Sequence, residues 1–168
     1  MAVKSLRAWL QTLGQRSVLR VVNREVDRRY ELSAVAKKAD GRYALRFNHV
    51  RGFDIPVVTG IAHSRELMAL AMGVRTEKVA ERFAWAQANP RPWVAVPSGQ
   101  APVKSRIARP DLTSLPIPVH HEKDGGAFIT AGLVIAKDPS SGIQNVSIHR
   151  LQVFSRLPVS QLPPPFTK

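Results

Sequence analysis

The chain has 168 residues, 44% of them hydrophobic and 22% charged, the proportions of a folded protein of one domain or of one domain and part of another. It contains no cysteine, which excludes disulfides, thiolate metal sites and cysteine nucleophiles and leaves oxygen and nitrogen as metal donors. The net charge of +13 raises nucleic acid as a partner, but residues 1–60 carry 12 basic and 5 acidic side chains and residues 61–168 carry 13 and 7, so the excess is spread rather than striped, and nucleic acid ranks last among the partners.

In chain order, Ser5 is expected to cap an amphipathic helix whose Leu6, Trp9, Leu10 and Leu13 recur at helical spacing, with Gly14 as its left-handed stop. Residues 18–22 read as a strand, and "DRRYELSAVAKKADG" as a second helix ended by Asp40-Gly41. Strands return in "YALRFNHV" and "PVVTGIA" around the turn-like 51–54. Ser64 then opens "RELMALAMG", and Thr76 opens "EKVAERFAWAQAN", with Val79, Phe83 and Ala86 on one face and Pro90 preventing continuation. Seven prolines between 90 and 118 make that stretch an extended connector.

After the loop "HHEKDGG", residues 128–136 read as a buried strand, 138–142 as a turn, and 145–154 as the hairpin partner. This order describes an α+β (α/β) fold: an N-terminal α/β domain over 1–108, the first part of a β domain over 109–156, and an irregular proline-rich tail over 157–168. No apolar run approaches the roughly 20 residues of a membrane-spanning helix, and the start lacks the apolar core of a secretory signal, so the expected location is cytoplasmic.

Two features of the last third carry chemistry. Adjacent His120 and His121 point in different directions on an extended chain, which argues against one shared metal ion, and Asp124-Gly125-Gly126 is a turn in which Asp124 bonds its following amides. In the second hairpin strand, alternation puts Asn145, Ser147 and His149 on one face and Val146, Ile148 and Arg150 on the other unless a bulge intervenes. An arginine in so apolar a strand needs an anion, whether a protein carboxylate, a phosphate or a substrate.

The stretch "LPIPVHHEKDGGAFITAGLVIAKDPSSGIQNVSIHRLQVF" resembles the UbiD family of carboxy-lyases, with its DGG-x-(Y/F)-I-T strand, D-P-x-(S/T)-G turn and N-x-(S/G)-I-x-R strand. "EVDRRYELSAVAKKADG", "ALRFNHVRG", "PVVTG" and "SRELMALAMG" are similar to the family's N-terminal region, so the likeness runs from about Leu13 to Phe154. The resemblance implies a split β-barrel-like flavin-binding domain after the α/β domain, and reversible decarboxylation of aromatic, heteroaromatic or α,β-unsaturated carboxylic acids with prenylated FMN. By the same resemblance Asn145 is the ligand of a divalent metal, Mn²⁺, that bridges the cofactor phosphate, and the Val146 carbonyl contacts a monovalent cation such as K⁺. Ile148, His149 and Arg150 line the cofactor, and Arg150 is the catalytic arginine that holds the substrate carboxylate.

The family's later segments, which bring a metal-ligating glutamate, an acidic proton donor and a C-terminal domain that mediates oligomer assembly, have no counterpart in this sequence. Two expectations follow: a truncated or split decarboxylase that is weak or inactive alone, as a homo-oligomer or with a complementing chain, or a non-catalytic assembly subunit or remnant.

Overall fold

The structure, a computed structural model, describes residues 3, 5–92, 94–105, 107 and 111–153. The tail expected over 157–168 and Phe154 at the end of the hairpin lie outside the described residues. The fold mixes helices and short sheets, as the alternation of patterns implied. The chain divides into two compact units that interleave along the sequence: Met1–Val22, Ala39–Arg46 and Val58–Pro110 in one, Asn23–Lys38, Phe47–Val57 and Asp111–Lys168 in the other.

In the first unit, helix α1 (Leu6–Gln15) starts where the Ser5 side chain accepts the Ala8 amide at 3.2 Å. Its apolar stripe delivers Trp9 and Leu13 to a buried cluster with Ala44 and Leu67, and the Trp9 indole N–H donates to the Ile61 carbonyl at 2.8 Å. Gly14 is not the stop: it lies inside α1, and the left-handed residue is Ser17, at φ 59°. The Ser17 amide donates to the Gly14 carbonyl and that of Val18 to Leu13, a Schellman closure one turn later than glycine alone suggests.

Strands β1 (Leu19–Val22), β2 (Ala44–Phe47) and β3 (Val57–Thr59) form a sheet in that order. Helix α3 (Arg65–Met72) follows, with Ser64 accepting the Leu67 amide and Gly73 closing the end in the left-handed region at φ 69°. Thr76 does not cap the next helix: it begins a 3₁₀ turn, Thr76–Lys78, that runs into α4 (Val79–Ala88) without a side-chain cap. No residue of α4 is buried: on the face of Val79, Phe83 and Ala86, Val79 is half-buried and Phe83 and Ala86 are exposed.

In the second unit, helix α2 spans Glu31–Ala39 rather than starting at Asp27. Residues 28–30 are held elsewhere: Arg29 bridges Val119, the Tyr30 amide donates to the Val119 carbonyl at 2.9 Å, and the Val119 amide donates to Arg28 at 3.1 Å. Tyr30 turns into the helix at φ 66°, a costly conformation for a bulky side chain. The Asp27 carboxylate accepts the Arg29 amide, and the Glu31 carboxylate reaches back to accept the Asp27 amide at 2.8 Å, so the segment before α2 is tied by two local bonds. Val26, Leu32, Phe47, Val50, Pro116, Ile117 and Val119 are buried here.

Strands β4 (Ala127–Lys137) and β5 (Gln144–Val153) form an antiparallel two-stranded sheet. The reading of 128–136 as a buried strand is corrected: β4 is half-buried near its start and mostly exposed beyond Ile129. Apolar content predicts burial only where a second layer lies on the strand, and among the described residues none covers this hairpin beyond its half-buried base.

Candidate functional site

The loop that leads into β4 is held by local bonds. His120 Nδ1 lies 3.0 Å from the Ser33 hydroxyl, whereas the His121 amide donates to the Asp124 carboxylate at 3.0 Å. Asp124 therefore bonds an amide three residues before it rather than its following amides. Gly126 adopts φ 138°, where a side chain would be strained. Among the described residues no group of three or more His, Cys, Asp or Glu is placed to hold a metal ion.

The hairpin register assigns the faces of β5. Pairs run Lys137 with Gln144 through Gly132 with His149, then resume at Ile129 with Leu151. Two residues of β4, Thr130 and Ala131, therefore oppose Arg150 alone, and the bulge lies in β4, not in β5. Asn145, Ser147 and His149 share one face, where the Ser147 hydroxyl stands 2.8 Å from His149 Nε2. Val146, Ile148 and Arg150 share the other, so the structure keeps Asn145 and His149 apart from Ile148 and Arg150 across the thickness of the strand.

Asn145, Ile148, His149 and Arg150 are all exposed. The Arg150 guanidinium lies over the Phe128 ring, 5.1 Å from its centroid, and none of the described carboxylates pairs with it. Around it the same face is apolar: Leu133 opposite Ile148 and Ile135 opposite Val146 are 66%, 74%, 64% and 54% exposed. Gly132 permits the strands to approach, since a Cβ there would sit 3.2 Å from the His149 carbonyl oxygen.

Below the base of the hairpin, a cleft of about 270 Å³ is lined by Arg29, Tyr30, Ile117, Val119, Asp124 and Val153, among others. Arg28, also on its wall, is already engaged, donating to the Ile117 carbonyl at 2.8 Å with its guanidinium over the Phe53 ring. Neither this cleft nor the Phe128 contact follows from residue spacing: the first needs Val119 to pair 90 positions from Arg29, and the bulge hides in the continuous run Thr130-Ala131-Gly132.

The turn that joins the strands is a carboxylate cage. Asp138 accepts the amides of Ser141 at 3.0 Å and Ser140 at 2.7 Å, and these bonds, Ser141 first, hold its pKa below the ordinary aspartate value. A depressed native pKa stabilises the turn at pH above the unfolded aspartate value, and that contribution disappears as pH falls through the lower native value. We expect the Asp138 carboxyl to titrate below pH 3.8 by NMR, and Asp138→Asn to remove this pH dependence from the turn amides. A midpoint at or above the ordinary value would contradict the cage.

Comparison with known proteins agrees with the hairpin and the helical units. Residues 10–87 match the 3-octaprenyl-4-hydroxybenzoate carboxy-lyase N-terminal domain of the UbiD family, and residues 94–161 match its Rift-related domain. Anhydromevalonate phosphate decarboxylase of Methanothermobacter thermautotrophicus is 34% identical over 94% of this chain and 36% of its own length. Among solved structures, an evolved dimeric form of the UbiD-class enzyme HmfF from Pelotomaculum thermopropionicum in complex with prFMN shares 48% identity at a TM-score of 0.88, over 92% of this chain and 37% of that one. Apo 3,4-dihydroxybenzoic acid decarboxylase of Klebsiella pneumoniae shares 28% at 0.82, over 92% and 36%. The chain spans about a third of the length of the relatives it matches. Over the residues it spans, the chain belongs to the UbiD carboxy-lyase family.

Proposed function

We propose that this chain supplies one wall of a prenylated-FMN-dependent decarboxylase acting on aromatic or α,β-unsaturated carboxylic acids. The observation that carries the reading is Arg150: a cation with which none of the described carboxylates pairs, on an apolar face, in a chain of a family whose named relatives decarboxylate 3,4-dihydroxybenzoic acid and anhydromevalonate phosphate. The bound cofactor would supply the electron sink for loss of carbon dioxide. Arg150, with Ile148 and His149, would line the cofactor and would take the substrate carboxylate through two parallel N–H donors, and Ile148 would give an apolar wall that excludes water from it.

The site residues fit an extended anionic ligand lying along the outer edge of β5. Asn145 and Arg150 are five positions apart, about 17 Å at the rise of a strand, and point to opposite faces; at the edge, groups from both faces reach one long molecule. The Asn145 side chain is exposed, and its amide oxygen is a donor that hard divalent cations such as Mn²⁺ accept. As the described residues gather no further acidic or histidine set, Asn145 would be one ligand among several and the others would come from elsewhere. His149, held by Ser147, would line the same side as Asn145.

A second reading is an assembly subunit. It is favoured by the four large apolar side chains on the Leu133 and Ile148 face, an uncommon exposure unless a partner covers them. One experiment separates the two. The chain is combined with prenylated FMN, Mn²⁺ and a polypeptide carrying the rest of a UbiD enzyme, and carbon dioxide release is measured over a panel of acids. Decarboxylation in the mixture, lowered about tenfold to a hundredfold by Arg150→Ala, supports the catalytic reading. Release unaffected by that substitution leaves only the assembly role.

A further inference from the structure

We infer that Phe128 is a positioning residue that holds the Arg150 guanidinium in one orientation on the hairpin face, ready for an anionic ligand. The inference deepens the reading of Arg150 given above and rests on it. Phe128 pairs with Gln152, so it is the diagonal neighbour of Arg150 on the same face, and its ring lies 5.1 Å from the guanidinium carbon. At the position facing Arg150, β4 bulges, with Thr130 and Ala131 both opposite the one arginine. A bulge bends its strand, and the guanidinium lies over the Phe128 ring just beyond this one.

A ring and a carboxylate would restrain this arginine in different ways. A protein carboxylate would neutralise the cation and occupy its forked donors. A ring face attracts the cation and occupies none of its five N–H groups. Arg150 thus remains charged and open to a carboxylate or a phosphate while losing rotamer freedom in advance, which lowers the cost of capture. Arg150 is exposed and Phe128 is half-buried but outside the buried core, so Phe128→Leu removes the ring while keeping an apolar side chain at that position.

The full chain, labelled with ¹⁵N-arginine, gives the direct test by NMR. The Arg150 Nε–Hε resonance, assigned by its loss in Arg150→Lys, is expected to show an upfield ring shift and slow side-chain motion. Phe128→Leu should remove both and Phe128→Tyr should keep them, while Arg20, which lies over Tyr43 at 4.6 Å, stays constant as the folding control. In parallel, FMN binding followed by flavin fluorescence should weaken about twofold to fivefold in Phe128→Leu, recover in Phe128→Tyr, and weaken further in Arg150→Ala. Identical Arg150 shift and motion in Phe128→Leu and the unsubstituted chain would falsify the inference. So would an Arg150→Ala effect on FMN binding that Phe128→Leu does not share at all. If Arg150→Ala leaves FMN affinity unchanged although the ring orders the arginine, the failure lies in the reading of Arg150, and the positioning role falls with it.

Discussion

Phe47→Ala is expected to lower the stability of the chain by about 3–5 kcal/mol, seen as a large fall in the urea midpoint followed by circular dichroism. Phe47 ends β2 with no exposed surface and is among the largest of the fully buried side chains. Its truncation removes the transfer free energy of the ring and leaves a void in a part of the fold where Val50, three positions on, is also buried. Domains of this size have total stabilities of about 5–15 kcal/mol, so the loss takes a large share. Leu133→Ala removes an apolar side chain that is already mostly in water and should stay within about 0.5 kcal/mol. Equal effects of the two substitutions would show that burial in this fold is misassigned.

Gly60→Val should cost about 3 kcal/mol through two separate mechanisms. Gly60 has φ 66°, which a β-branched residue adopts only under strain. A Cβ there would also stand 3.1 Å from the Tyr43 carbonyl oxygen and 3.6 Å from the Ala44 Cα, and backbone atoms cannot swing aside as a side chain does. The displaced loop carries Ile61, whose carbonyl accepts the Trp9 indole, so the buried cluster of Trp9, Leu13, Ala44 and Leu67 is disturbed as well. Thermal unfolding should show the loss together with a change in tryptophan fluorescence; an unaltered transition would remove the steric argument.

The elements were legible where a local cause dominates. Ser5 and Ser64 cap the helices that their positions announce, because an N-cap bond spans three residues and needs nothing distant. The hairpin and its Asp138 turn follow from alternation and turn chemistry in the same way. What escaped was set at long range. The late start of α2 depends on Val119 occupying the backbone of residues 28–30, and Gly14 yields the helix end to Ser17 because the chain continues around Val18 toward β1. At the candidate site, alternation placed Asn145 and Arg150 on their faces correctly. It gave no sign that the arginine sits over a ring or that no described layer covers the strand.

The threading of the two units has a consequence for synthesis on the ribosome. Arg28 and Arg29 emerge early, yet the backbone that receives them, Ile117 and Val119, is translated roughly ninety residues later. Until then the backbone of residues 28–30 lacks its partner strand, although Val26 already meets Val50 and Arg28 the Phe53 ring, while Trp9, Leu13, Ala44 and Leu67 of the other unit are available to one another. Long waits of this kind are when exposed segments find wrong neighbours, so molecular chaperones should matter most between the appearance of Arg29 and that of Val119.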